Sequence, residues 1–142
     1  MAKLSDISRG EDERAIAGLI SGIYEAFGAG QVNRIEAALA EDCTIWDVFT
    51  PELIRGHEER ARFHAADQAQ MRARGPLTWR LGQPLVDVWG GDAAVARYLL
   101  EFEYQPPRAL MGTVRITDVL RRIEGRWLIV HHHEGLVPTG PP

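Results

Sequence analysis

The sequence predicts an α+β fold, with three helices gathered ahead of a run of antiparallel strands in one domain spanning residues 1–142. Three observations carry that prediction. Apolar residues recur at helical three- and four-residue spacing only in the first half of the chain. After Gly75-Pro76 the pattern turns to alternation, punctuated by short glycine turns. No repeat, low-complexity stretch or shift of composition marks a second unit.

The elements follow in order. Ile16, Leu19, Ile20, Ile23, Tyr24 and Phe27 form one apolar stripe, so the first segment reads as a helix. Ser8 or a close neighbour is the expected cap, with Glu11, Asp12 and Glu13 at the end where the helix dipole favours carboxylates. Gly28-Ala29-Gly30 stops it, and a short second helix follows with Ile35, Leu39 and the intervening alanines as its apolar face. Residues 44–49, Thr-Ile-Trp-Asp-Val-Phe, are β-branched and aromatic, a strand ended by Thr50-Pro51. His57 to Met71 returns to helix. Beyond it, Leu77 to Trp89 is extended, with Pro84 at an edge or bulge, and Gly90-Gly91-Asp92 turns it into a return strand over Ala93–Tyr104. Pro106-Pro107 opens a loop, Gly112–Arg122 and Arg126–Glu134 make the last hairpin across Glu124-Gly125, and the tail from Val137 is irregular.

Composition sets the class. The chain is 45% hydrophobic and 25% charged, an ordinary globular balance that excludes disorder. A chain of this length buries roughly two-thirds of its unfolded surface, enough for a core with an internal pocket. Sixteen basic against twenty acidic side chains give a net charge of −4, and fifteen of the cations are scattered arginines, so no nucleic-acid partner is expected. No apolar run approaches the roughly 18 residues of a membrane helix, and MAKLSDISRGEDER lacks the apolar stretch of a secretory signal. A cytoplasmic protein with no membrane partner is therefore expected. Cys43 is the lone cysteine, more in keeping with a small buried hydrophobe than a nucleophile, and no CxxC spacing suggests zinc. Neither a metal nor another cofactor is expected.

Four segments carry a resemblance: AFGAGQVNRIEAALAEDCTIWD, RGHEERARF, FEYQ and RITDVLRRIEGRWLIVHHHEG. They resemble the NTF2-like superfamily, and within it the SnoaL-like and ketosteroid-isomerase-like proteins, from about Glu11 to Pro138. The most specific part is the closing hairpin with Arg115, Thr117, Arg121, Arg122, Gly125, Trp127, Ile129, Val130, His131 and His133. That motif speaks for the fold more than for an activity, because one fold hosts many functions. The resemblance implies a cone-shaped α+β barrel, three helices on a curved antiparallel sheet, an apolar cavity and a homodimer through the outer sheet face.

Candidate residues follow from both readings. Asp47 lies among apolar strand residues, where an unpaired carboxylate is costly to bury, and the resemblance puts a general base there. In ketosteroid isomerases an Asp base works with an oxyanion hole made by a Tyr and a protonated Asp, and the resemblance implies that chemistry. Asp118 falls near the position of that neutral Asp. Strand alternation puts Ile116, Asp118 and Leu120 on one face and Arg115, Thr117 and Val119 on the other, and either set is a candidate for the cavity. Aligning Ala29-Gly30 with the family turn puts Ile23 at the tyrosine position, with Tyr24 about 100° further around the helix. By the same alternation, His131 and His133 share a face with Trp127 and Ile129 and are the expected acid or oxyanion partners of Asp47. Trp46, Phe49, Phe63, His64, Trp79, Tyr98, Leu100 and Phe102, with Trp89, Tyr104, Arg115 and Thr117, are the candidate binding surface for a small hydrophobic molecule. His57 reads as a solvated helix-start residue.

The expected function is proton-transfer isomerisation or cyclisation of a hydrophobic, steroid- or polyketide-like carbonyl compound. The alternatives are a non-catalytic binding or assembly module, which would lack a cavity carboxylate, and epoxide hydrolysis, which needs several convergent polar groups.

Overall fold

The computed structural model describes residues 4–141, leaving residues 1–3 and Pro142 of the expected domain outside the described residues. Its helices are α1 (Leu4–Gly28), α2 (Val32–Ala37) and α3 (Gly56–Ala73). Its strands are β1 (Leu39–Trp46), β2 (Ile54–Arg55), β3 (Leu77–Leu81), β4 (Leu85–Trp89), β5 (Ala93–Tyr104), β6 (Leu110–Ile123) and β7 (Arg126–Leu136). The strands form one curved sheet in the order β2-β1-β7-β6-β5-β3, with β4 also paired to β5. Among the described residues the two ends of the sheet do not pair, so the cone stays open. All three helices pack against the sheet, α1 on β4 and β7, α2 on β1, and α3 on β1 and β2.

The apolar stripe of α1 is divided between two tasks. Ile16 and Ile20 are wholly buried and join Cys43, Ile116, Leu120 and Ile129 in the core. Nearer the end of the helix, Ile23, Tyr24 and Phe27 turn towards a cavity. The helix starts before Ser8, which lies inside it and is not its cap. Asp12 instead joins the sheet, accepting hydrogen bonds from Trp127 Nε1 at 3.2 Å and from Arg122.

Three elements differ from expectation for local reasons. Leu39 opens β1 and does not close α2, which ends at Ala37, and β1 ends at Trp46, so that residues 47–49 of the expected strand form a turn. Residues 77–89 are two strands, because Gly82 and Pro84 interrupt the ladder and β3 and β4 then pair with successive halves of β5. The sheet also contains one parallel pair, β1 beside β7. The last hairpin matches its turn chemistry. Ile123 faces Arg126 across a two-residue loop in which Glu124 (φ 50°) and Gly125 (φ 78°) are both left-handed, as a type I′ turn requires.

The β6–β7 ladder carries the feature that decides the site. Leu120 faces Ile129, but Val119 faces His131, so Val130 is an extra residue, a β-bulge. One inserted residue reverses the inside–outside parity of everything after it. Trp127 and Ile129 point inward, and beyond the bulge so do His132 and Glu134.

Behind β1, Arg60 of α3 is 2% exposed and holds the helix layer to the sheet. Its guanidinium bonds the Glu36 carboxylate at 3.1 Å and the carbonyls of Glu41 and Cys43 at 3.0 Å each. Glu36 also meets His64 Nε2 at 2.9 Å. Burial works against the charge on Glu36, but Arg60 and His64 outweigh it and hold the carboxyl below its usual range. Arg60→Leu leaves two carbonyls without this donor and the Glu36 carboxylate without its arginine, and is expected to cost about 3 kcal/mol. Urea unfolding checks this, and a loss below about 1 kcal/mol would mean that water replaces the guanidinium.

Candidate active site

The cavity lies between the sheet and the helices, with a volume of about 170 Å³. Its apolar wall includes Ile23, Phe27 and Phe63 from the helices and Ile45, Trp79, Leu100 and Phe102 from the sheet. Polar groups reach it from both the helices and the sheet. Asp47 follows the end of β1, Tyr98 projects from β5, and His132 and Glu134 project from β7.

Asp47 owes its position to a tight turn. Its Oδ2 accepts hydrogen bonds from Phe49 N at 2.9 Å and Thr50 Oγ1 at 3.2 Å, an Asx-type turn that fixes the carboxyl at the cavity wall. Glu134 meets it there, sharing a carboxyl–carboxyl hydrogen bond while its Oε1 accepts from Val48 N at 3.1 Å. Burial first, and then the Glu134 charge, push Asp47 up to about 7. Burial works against ionisation of Glu134 too, but the His132 hydrogen bond and charge prevail and hold it down at about 2. The two carboxyls thus titrate together, Glu134 favoured as the ionised member and Asp47 as the one that takes up a proton.

His132 is the hub. Its Nδ1 lies 2.5 Å from Asp118 Oδ1 and its Nε2 lies 2.9 Å from Glu134 Oε2. Burial alone would lower its pKa, but the two carboxyls override burial and hold it well above the ordinary range. The ring is therefore an imidazolium that donates from both nitrogens. Asp118, 0% exposed, also accepts the Tyr98 hydroxyl at 2.6 Å, and Tyr98 lies 3.1 Å from the Tyr24 hydroxyl. With the Tyr98 proton given to Asp118, Tyr24 is the donor in that contact. Burial first, and then the Asp118 charge among others, raise both tyrosines well above 10, outweighing the Tyr98 hydrogen bond that lowers Tyr24, so they stay protonated. A continuous chain thus runs Tyr24, Tyr98, Asp118, His132, Glu134, Asp47.

The expected residues divide accordingly. Asp47, Tyr24, Phe49, Phe63, His64, Trp79, Tyr98, Leu100, Phe102 and Tyr104 all line the cavity, although His64 Nε2 is engaged with Glu36. Of the two faces of β6, Ile116, Asp118 and Leu120 are buried, and Asp118 stands behind Tyr98 and His132 and not on the cavity wall. Arg115 and Thr117 are on the outer face, a correction that follows from the same alternation. His131 and His133 are also outside, because the Val130 bulge reverses their parity. His131 bonds Thr44 Oγ1 at 2.7 Å, and Trp46, 45% exposed, packs against both histidines on that outer face. Trp89 is exposed and away from the cavity.

Sequence reasoning passes over His132, Glu134 and Asp67. The sequence does hold a signal for the first two. In His131-His132-His133-Glu134 both parities are polar, so a strand there turns polar groups inward whichever way it faces. Asp67 completes a stripe of Arg60, Phe63, His64 and Asp67 at helical spacing, and it lines the cavity from α3. Burial and then Glu134 push it up to about 6. Among the described residues, no group of side chains is arranged to hold a metal ion. Nor is any helix long and apolar enough to cross a membrane.

Comparison with known proteins agrees with this architecture. The family model of the SnoaL-like domain matches residues 16–139. No curated protein matches the chain. Among solved structures, an NTF2-like protein of unknown function from Pseudomonas putida KT2440 is 25% identical, with a TM-score of 0.76 over 92% of this chain and 89% of its own. A candidate ketosteroid isomerase from Shewanella frigidimarina is 21% identical, with a TM-score of 0.71 over 83% of this chain and 92% of its own. A candidate scytalone dehydratase from Novosphingobium aromaticivorans has a TM-score of 0.80 at 11% identity, covering 94% of this chain and 89% of its own.

Proposed function

The chain belongs to the SnoaL-like domain family, and from that premise we propose that it is a proton-transfer enzyme acting on a small cyclic carbonyl compound. The observation that carries this reading is the Asp47–Glu134 pair on the wall of an apolar cavity, backed by the His132 imidazolium. A carboxyl titrating near 7 is well matched to taking a proton from carbon beside a carbonyl and returning it elsewhere. A module that merely holds an apolar ligand has no use for such a pair, because burying carboxyls weakens apolar binding. Asp47 in its ionised form is the base. Glu134, held ionised by His132, sets the affinity of Asp47 for the proton.

Size narrows the substrate. An engineered apolar cavity of about 150 Å³ takes up benzene, so a cavity of about 170 Å³ suits one or two rings within its walls. A larger molecule would extend through the mouth. Tyr24 lines the cavity, and it can donate to a carbonyl held there only by releasing Tyr98. A second outcome, loss of water from a β-hydroxy carbonyl compound, shares the first proton abstraction. It is favoured by Asp67, a further cavity carboxyl raised to about 6 and available as an acid for the leaving hydroxyl.

The test is exchange of carbon-bound hydrogen in D₂O. Incubating 2-tetralone with the protein and following the α-hydrogens by NMR should show catalysed loss of signal above the buffer rate. Ultraviolet assays with 3-cyclohexenone and with a β,γ-unsaturated ketosteroid then separate small from large substrates. Exchange of 2-tetralone no faster than buffer, with no conversion of 3-cyclohexenone or of the steroid, would leave a binding module as the better reading.

A further inference from the structure

We propose that Arg74 forms a second subsite in the same cavity, one that receives an anionic group, a carboxylate or its equivalent, carried by the ligand. The inference rests on the proposed function only in that both place the ligand in this cavity.

The sequence puts Arg74 at the point where α3 ends and the chain turns through Gly75-Pro76 into β3. Its backbone is extended there (φ −89°, ψ 170°), so the side chain leaves the helix and does not continue along the helix surface. The guanidinium carbon lies 4.7 Å from the centre of the Tyr104 ring and 5.9 Å from that of Phe49. Aromatic faces attract a guanidinium through their quadrupole and hold it flat, which fixes its orientation in advance of any ligand.

Among the described residues, Arg74 is the only arginine or lysine lining the cavity. Arg34, Arg60, Arg80, Arg97 and Arg122, none of which lines the cavity, each meet a carboxylate within 4 Å. Arg74 has no described carboxylate within 4 Å. Its side-chain hydrogen-bond partner is Tyr104, which leaves most of the five N–H donors for a ligand. The cavity carboxyls are otherwise committed: Glu134 to His132, and Asp47 to Glu134 and its own turn. Asp67, seven residues earlier on α3, shares the cavity and feels the Arg74 charge, but its carboxyl lies beyond 4 Å of the guanidinium, outside ion-pair contact.

Position adds to the argument. Phe49, under one edge of the guanidinium, belongs to the turn that fixes Asp47. The cation therefore stands beside the turn that carries Asp47 of the proton-transfer pair. A planar fork at that place suits a planar anion, which it can bind through two parallel hydrogen bonds. The substrate class this defines is a one- or two-ring carbonyl compound bearing a carboxylate, with the ring in the apolar interior and the anion at Arg74.

The probes are 2-naphthoate and its neutral isostere 2-naphthamide, titrated by calorimetry against the wild type, Arg74→Gln and Arg74→Lys. The wild type should prefer the naphthoate by about tenfold, the worth of one charge-assisted pair at a partly exposed site. Arg74→Gln should bring that ratio to about one, and Arg74→Lys should retain part of it, since lysine keeps the charge and loses the fork. A wild-type ratio near one, no binding of naphthoate, or a preference that survives Arg74→Gln would each overturn the proposal. Because the readout is binding, failure of the exchange assay would leave this subsite standing, and loss of the naphthoate preference would leave proton transfer standing.

Discussion

Replacing Asp47 by Asn is expected to lower kcat/KM for α-proton transfer by about 100- to 10,000-fold, the range a positioned general base contributes. Asparagine keeps the shape and can still accept from Phe49 N and Thr50 Oγ1, so the turn survives while the base is lost. In the wild type, kcat/KM should rise tenfold per pH unit at low pH and level off above about 7, where Asp47 has given up its proton. A variant with unchanged turnover, or a profile flat from pH 5 to 8, would remove Asp47 from the mechanism. The same substitution should act on stability in the opposite direction. The folded-state pKa of Asp47 is raised to about 7 from an unfolded value of about 3.9. Its stabilising contribution is therefore complete below about pH 4 and is lost as pH rises through 7. Asparagine carries no such dependence, so the Tm of Asp47→Asn should exceed that of the wild type by more at pH 8 than at pH 5. A site that gains stability as it loses activity is the usual signature of a functional strain.

The second large effect is structural. His132→Leu removes the imidazolium from between Asp118 and Glu134 and leaves the 0%-exposed Asp118 with Tyr98 as its remaining donor. Removing one partner of a buried charged pair costs about 3–5 kcal/mol, a large part of a small domain's stability. The pH dependence has a definite sign. The folded pKa of His132 is raised, so its contribution is complete below the unfolded value of about 6.5 and declines as pH climbs towards the folded one. The difference in unfolding free energy between wild type and variant should thus shrink at alkaline pH. The double variant His132→Leu/Asp118→Leu should recover part of the loss, because an apolar pair replaces a stranded carboxyl. A double variant no more stable than His132→Leu would mean that the charge of Asp118 is not what the imidazolium stabilises.

Much of this molecule is legible in local sequence. The three helices are written in apolar spacing, the turns in Gly90-Gly91 and Glu124-Gly125, and the change of period after Gly75-Pro76 separates the helical half from the sheet. The aromatic and aliphatic lining is legible too, since Tyr98, Leu100 and Phe102 sit on alternate positions of one uninterrupted strand. Asp47 stands out because a carboxyl among apolar strand residues has to be paired or used.

Parity after an irregularity is what local sequence does not carry. Alternation counted straight through residues 127–133 assigns His131 and His133 to the inside, and the structure puts them outside beside Trp46. The cause is the single unpaired Val130, whose bulge lies where β7 pairs with both β6 and β1 and leaves no mark in its own side chain. The convergence of Glu134 from β7, Asp47 from the β1 turn, Asp67 from α3 and Arg74 from just beyond its end is likewise a product of long-range packing. Propensity and period are local, so residue order alone dictates which elements form and which residue types a buried wall carries. Register and electrostatic coupling exist only between elements brought together. Which of two adjacent histidines faces the cavity, and which carboxyl keeps the proton, are therefore properties of the folded chain.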